Sequence, residues 1–184
     1  MYEVEVKVPA DHGPVRERLA ELDAEPLGTV HQHDVYYDHP TRSFAETDEA
    51  LRLRRESADG GEETDDAAGA TLTYKGPLVD DASKTREEVE TDVLDGDALD
   101  AVLRAVGFEP AATVEKERTR FALDGYTVAL DDVTGLGEFV EVEAQGEEPA
   151  VADLREGAFA LCARLGLDVD DAIRTSYLGM LLEG

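Results

Sequence analysis

Apolar and charged residues alternate with a period of two through much of the chain. Residues 3–8 set Glu3, Glu5 and Lys7 against Val4, Val6 and Val8, which predicts a strand. The same signal predicts strands over 29–38, 51–55, 71–75, 84–93, 113–123, 126–131 and 138–144. Helical spacing takes over elsewhere. Val15, Leu19 and Leu22 mark a helix over 13–22, and Leu99, Leu103 and Val106 mark one over 98–106. Further helices are expected over 152–165 and 171–182. Gly107 is placed to end the second helix, Asp124-Gly125 is a hairpin turn signal, and Gly76-Pro77 closes a strand. Residues 56–70 are acidic and Gly-rich and read as a mobile loop.

An internal repeat runs at an offset of 84 residues. Glu25-Pro26 and Thr29-Val30 return as Glu109-Pro110 and Thr113-Val114, and Val15, Leu19 and Leu22 return as Leu99, Leu103 and Val106. The strands before each helix need a one-residue gap to stay in register. Two related halves would form one barrel with pseudo-two-fold symmetry. The apolar faces of the strands need cover, which the amphipathic helices supply. A sheet of this many strands tends to close. Closure with the helices outside turns the charged faces of the strands inward. The expected class is α+β: an eight-stranded antiparallel β-barrel tunnel with helices packed outside, in a single domain over residues 1–184.

Composition sharpens this picture. The net charge is −27, from 17 basic and 44 acidic residues. Such a surface repels nucleic acid and anionic lipid, and it suits a protein of a salt-rich milieu. The four lysines (Lys7, Lys75, Lys84 and Lys116) all fall in predicted strands, as do Arg52, Arg54, Arg55, Arg86, Arg118 and Arg120. Cations are thus concentrated where the surface does not need them. No apolar run is long enough to span a membrane and no secretory signal opens the chain, so a cytoplasmic location is expected. Cys162 is the one cysteine and reads as a small core residue. A homodimer is compatible with the sequence.

A charged interior is costly unless its charges pair or meet ligands. Cations alone would suit an anion, and cations beside clustered carboxylates suit an anion with metal ions. A polyphosphate with Mg²⁺ or Mn²⁺ matches both halves. His31 and His33 alternate on one strand and could ligate a transition metal, with ordinary polar strand residues as the alternative. Tyr36 could face the tunnel as a base or base contact, or serve as a structural tyrosine. The acidic run 59–66 lacks EF-hand spacing and reads as a solvated loop.

Glu3-Val4-Glu5-Val6-Lys7 resembles the ExExK signature of the CYTH superfamily, the triphosphate tunnel metalloenzymes. Other matching segments follow in order. They include Glu49-Ala50-Leu51-Arg52-Leu53-Arg54, Thr73-Tyr74-Lys75-Gly76-Pro77, Arg86-Glu87-Glu88-Val89-Glu90, Val114-Glu115-Lys116-Glu117-Arg118, Leu130-Asp131-Asp132-Val133 and Glu138-Phe139-Val140-Glu141-Val142-Glu143. The likeness is greatest to class IV adenylyl cyclases and their prokaryotic relatives. It implies that Lys7, Arg52, Arg54, Lys75, Arg86, Lys116 and Arg118 bind a triphosphate, with Arg120 and Arg174 added by position. It implies that Glu3, Glu5, Asp131, Glu141 and Glu143 hold Mg²⁺ or Mn²⁺, and that Lys7 and Tyr36 are catalytic candidates. Three readings stay open: cyclisation of ATP to cyclic AMP, hydrolysis of an inorganic, nucleoside or thiamine triphosphate, and non-catalytic polyphosphate binding. The chain has no Trp, on which mammalian-type thiamine triphosphatases stack their substrate.

Overall fold

The structure is a computed structural model that describes residues 1–58, 69–79 and 83–184. Among these residues eight antiparallel strands close into a barrel. They are β1 (Tyr2–Pro9), β2 (Glu25–Asp38), β3 (Ala50–Ala58), β4 (Ala70–Leu78), β5 (Lys84–Val93), β6 (Glu109–Leu123), β7 (Tyr126–Val133) and β8 (Gly137–Gly146). The order around the ring is β1-β5-β4-β3-β2-β6-β7-β8, with β8 pairing back on β1. Helices α1 (His12–Glu21), α2 (Phe44–Thr47), α3 (Gly96–Ala105), α4 (Val151–Arg164) and α5 (Tyr177–Glu183) lie around it. None is long and apolar enough to cross a membrane.

The ring order is unchanged when β1, β2, β3 and β4 are exchanged with β5, β6, β7 and β8. The 84-residue offset persists down to single hydrogen bonds. After α1, Leu22 N, Asp23 N and Ala24 N donate to the carbonyls of Arg18, Ala20 and Leu19. After α3, Val106 N, Gly107 N and Phe108 N donate to those of Val102, Arg104 and Leu103. Asp23 and Gly107 both hold positive φ, 53° and 106°, which ends each helix in the left-handed conformation. The predicted Asp124-Gly125 turn joins Leu123 to Tyr126, again with both φ values positive.

The outward apolar residues are covered as the alternation requires. Val6, Val8, Val128, Leu130, Val140 and Val142 pack against Val15 and Leu19 of α1 and Ala158, Leu161 and Cys162 of α4. Leu53 and Ala70 pack against Leu103 of α3. At one end of the barrel the inward positions themselves turn apolar. There Val114, Val133 and Phe139 meet Tyr177 of α5, with Tyr36, Leu178 and Leu181 around them.

Three expectations need correction. The predicted helix over 171–182 begins only at Tyr177, because Ile173 N donates to Lys7 O at 2.8 Å and draws the preceding segment along β1. Ser176 then caps α5, accepting from Gly179 N at 3.0 Å. Strands β2 and β6 start at Glu25 and Glu109, four residues earlier than their alternation does. Of the proposed loop 56–70, Glu56, Ser57 and Ala58 end β3 and Ala70 begins β4. Residues 59–68, and with them the whole acidic run 59–66, lie outside the described residues.

Candidate active site

Closure brings the inner faces of the strands onto one cavity of about 620 Å³. Nine of the ten strand cations line it: Lys7, Arg52, Arg54, Lys75, Lys84, Arg86, Lys116, Arg118 and Arg120. Arg55 is the exception. It sits one residue out of phase and pairs outside with Asp97 at 2.7 Å. Glu3, Glu5, Glu88, Glu90, Glu141 and Glu143 enter the same cavity.

The carboxylates fall into two groups. Asp131 and Glu141 are committed to protein cations. Arg118 grips Asp131 through Nε and Nη2, both at 2.6 Å, and also meets Glu141. Tyr177 Oη donates to Asp131 Oδ2 at 2.8 Å. Asp131 is fully buried behind Arg118 and does not line the cavity. Lys7 Nζ lies 3.3 Å from both Glu5 and Glu141, with the Tyr177 ring 4.1 Å beneath it.

Glu3, Glu5 and Glu143 form the second group. One oxygen from each lies within 4.8 Å of the others. Burial, reinforced by Glu3, Glu141 and Glu5, pushes the Glu143 carboxyl up against the pull of Arg118. Burial and Glu141 would also raise Glu5, but Lys7, Lys84 and Lys75 hold it well below the usual carboxylate range. The trio is therefore crowded and short of positive charge at Glu143. A hard dication taking oxygen ligands fits such a set.

The cations differ as well. Arg54 is bound in a fork by Asp34 at 2.7 and 2.6 Å. Arg86 donates to Asp48 O at 2.9 Å and Arg52 to Thr73 Oγ1 at 3.0 Å. The Nε groups of Arg52, Arg86 and Arg120 are buried without a hydrogen-bond partner among the described residues. Buried donors of this kind need an acceptor, and phosphate oxygens would provide one. Burial, then Arg118, pushes the Lys116 ammonium down to about 7. Burial brings Lys84 to about 8 even beside Glu5. Lys7 goes the other way: Glu5 and Glu141 outweigh its burial and keep it charged.

Tyr36 lines the cavity next to the apolar end. Arg174 does not reach it. Ile173 bridges along β1 to Lys7 and packs at the apolar end, while Arg174 beside it is exposed and is not among the residues that line the cavity. Lys84 and Glu88 were not among the binding residues that the family resemblance implies, although the strand register places both with Arg86 and Glu90 on the charged face that closure turns inward. The parts played by Asp34 and Tyr177 have no local signal, because their partners lie 20 and 46 residues away.

The structure is thus of the class of closed antiparallel barrels with helices outside, its tunnel lined by lysine and arginine around clustered carboxylates. The chain belongs to the CYTH family, whose domain matches residues 1–177. A relative from Methanocaldococcus jannaschii, provisionally named an adenylate cyclase, is 34% identical over 180 residues, 97% of each chain. The solved structure of a Pyrococcus horikoshii protein covers 98% of each chain at 36% identity with a TM-score of 0.87. A Hippeastrum protein described as having a dominant triphosphatase activity shares the fold, with a TM-score of 0.66 at 18% identity over 100% of this chain and 95% of its own.

Proposed function

We propose that the chain is a divalent-metal-dependent enzyme that acts on a triphosphate compound held inside the barrel, with ATP cyclisation to cyclic AMP and pyrophosphate as the leading reaction. The observation that carries the proposal is the convergence of nine cations and the Glu3, Glu5 and Glu143 trio on one cavity. Anion binding alone would gain nothing from buried carboxylates. The relative from Methanocaldococcus jannaschii supports the cyclase reading by name.

In this reading Arg52, Arg86 and Arg120 direct their unpartnered Nε–H groups to phosphate oxygens, with Lys75 and Lys84 adding charge. Arg54 and Arg118 contribute from fixed positions, oriented by Asp34 and Asp131. Glu3, Glu5 and Glu143 would hold Mg²⁺ or Mn²⁺, which supplies charge neutralisation at the phosphates. Glu141 and Asp131 then serve as counter-charges for Lys7 and Arg118 rather than as primary ligands. Lys7 stays protonated and stabilises developing charge. Lys116, near neutrality, is the lysine suited to move a proton. Tyr36 is placed to contact the organic moiety.

The grip does not by itself dictate the cut. Attack by the ribose 3′-oxygen on the α-phosphorus and attack by water on the terminal phosphorus use the same cations. Hydrolysis is therefore the second reading, and the Hippeastrum protein carries that activity on the same fold. Incubating the protein at high salt with ATP, tripolyphosphate or thiamine triphosphate, plus Mg²⁺ or Mn²⁺, separates the two by mass spectrometry of the products. Cyclic AMP with pyrophosphate confirms the first reading and orthophosphate the second. No turnover with any of the three overturns the enzyme reading. The net charge of −27 further leads us to propose a salt-rich cytoplasm as the setting. A thermal midpoint unchanged between low and multimolar KCl would contradict the salt dependence.

A further inference from the structure

The outer face of the β2–β6 pair carries a second, chemically different constellation. His31 and His33 point out of the barrel on one face of β2, and the register sets them opposite Glu117 and Glu115 of β6. His31 Nε2 lies 3.6 Å from Glu117 Oε2 and His33 Nε2 lies 3.7 Å from Glu115 Oε1. Both separations exceed hydrogen-bond length. All four side chains are about half exposed, between 48% and 59%, so an ion from solvent can reach them. Two residues of strand separate the imidazoles by about 7 Å. As placed they form two separate His–Glu pairs, and binding one ion at about 2.0–2.1 Å from each nitrogen requires the exposed rings to turn toward each other about their side-chain torsions.

The surroundings favour a cation. Asp132 of β7 stands beside Glu117 in the next register position and is exposed. Ser57 and Arg55 of β3 stand on the other side, opposite His31 and His33. Arg55 is already committed to Asp97 of α3 at 2.7 Å. The ligand set is two imidazoles with one or two carboxylates, which is borderline in softness. The tunnel trio offers carboxylate oxygens alone. Hard ions such as Mg²⁺ suit the second set, and Zn²⁺, Co²⁺, Ni²⁺ or Cu²⁺ suit the first.

We propose that His31, His33, Glu115 and Glu117 form a transition-metal site on the outer wall of the barrel, separate from the tunnel. The proposal does not depend on the reaction assigned to the tunnel. It is tested on the full chain, stripped with chelator and titrated with Zn²⁺ in the presence of excess Mg²⁺, which occupies carboxylate-only sites. The expected result is one saturable Zn²⁺ per chain. Its affinity should fall by more than about tenfold in His31→Gln/His33→Gln, the scale on which disturbed metal shells lose affinity. Glu115→Gln/Glu117→Gln should weaken it less. Co²⁺ should give visible absorption bands in the wild type that the double histidine variant lacks. All these side chains are surface residues, and far-ultraviolet circular dichroism checks that each variant folds. Zn²⁺ binding unchanged in the double histidine variant would overturn the proposal, as would no saturable binding in the wild type.

Discussion

Arg118 and its two neighbours along β6 show what closure of the sheet does to a charge. The Arg118 side chain faces inward, is 7% exposed and is held by Asp131, Glu141 and Glu143. Glu115 and Glu117 face outward on the same strand and are about half exposed beside the two histidines. All three residues come from one alternating segment with similar local propensity. Inside, low dielectric and lost hydration make each charge depend on its partners. Outside, water and salt screen each pair and leave it worth little. The inner wall therefore works as one coupled system, whereas charges on the outer wall meet only their immediate cross-strand partners.

The sharpest way to break this contrast is to unpair an inner cation. Glu141→Gln leaves Lys7 and Arg118 short of a buried counter-charge. We expect it to destabilise the fold by about 3–5 kcal/mol, read by denaturant titration. Glu143→Gln should act differently, because the Glu143 carboxyl is buried among other carboxylates and its ionisation opposes folding. The fold keeps a proton there that the unfolded chain has lost, so the contribution of Glu143 to wild-type stability falls as pH rises from about 4.5 towards about 8. The variant should melt no lower than wild type without metal and yet lose roughly 10²–10³-fold in turnover.

Arg52→Ala comes next. It removes a buried donor whose Nε has no acceptor among the described residues, and should weaken triphosphate binding by about 1.5–3 kcal/mol in calorimetric titration. Arg54→Ala should show a similar binding loss together with a stability loss, because it strands Asp34.

A pH series probes the same wall more gently. Lys116 and Lys84 sit near 7 and 8 in the free protein, so above these values the empty tunnel has released their protons. An anion binds the charged form, and its binding takes those protons back. Affinity should therefore fall as pH rises from 7 towards 9, by up to about tenfold per unit for each lysine. Calorimetry in buffers of different ionisation enthalpy should register proton uptake. The free fold should change in the opposite sense. Both lysines hold lower values folded than unfolded, so their contribution to stability improves as pH rises from 7 towards the ordinary lysine range. The smallest effect belongs to the solvent-facing side of α1. Arg18→Ala deletes the exposed pair with Glu21, 3.0 Å apart, and should change stability by less than about 1 kcal/mol.

The alternation of residues was enough to place the strands and to say which side chains share a face, because period two is a property of the local backbone. The 84-residue offset likewise carried the helix ends, where Asp23 and Gly107 do the same local task. Ring order, and hence which inner faces meet, needed closure. The split of five expected metal ligands into a clustered trio and two counter-ions gripped by Arg118 depended on Arg118 reaching across from β6 to β7 and β8. Tyr177 illustrates the same limit. Its place in the chain is only the start of a short helix, and what it touches is Lys7, Lys116 and Asp131 from three different strands. The sequence by itself determined the period of each strand, the ends of α1 and α3 and the type of charge each face would carry. The tertiary structure alone decided which charges neutralise one another and which are left for a ligand, because those pairings are contacts between residues far apart in the chain and their strength depends on burial.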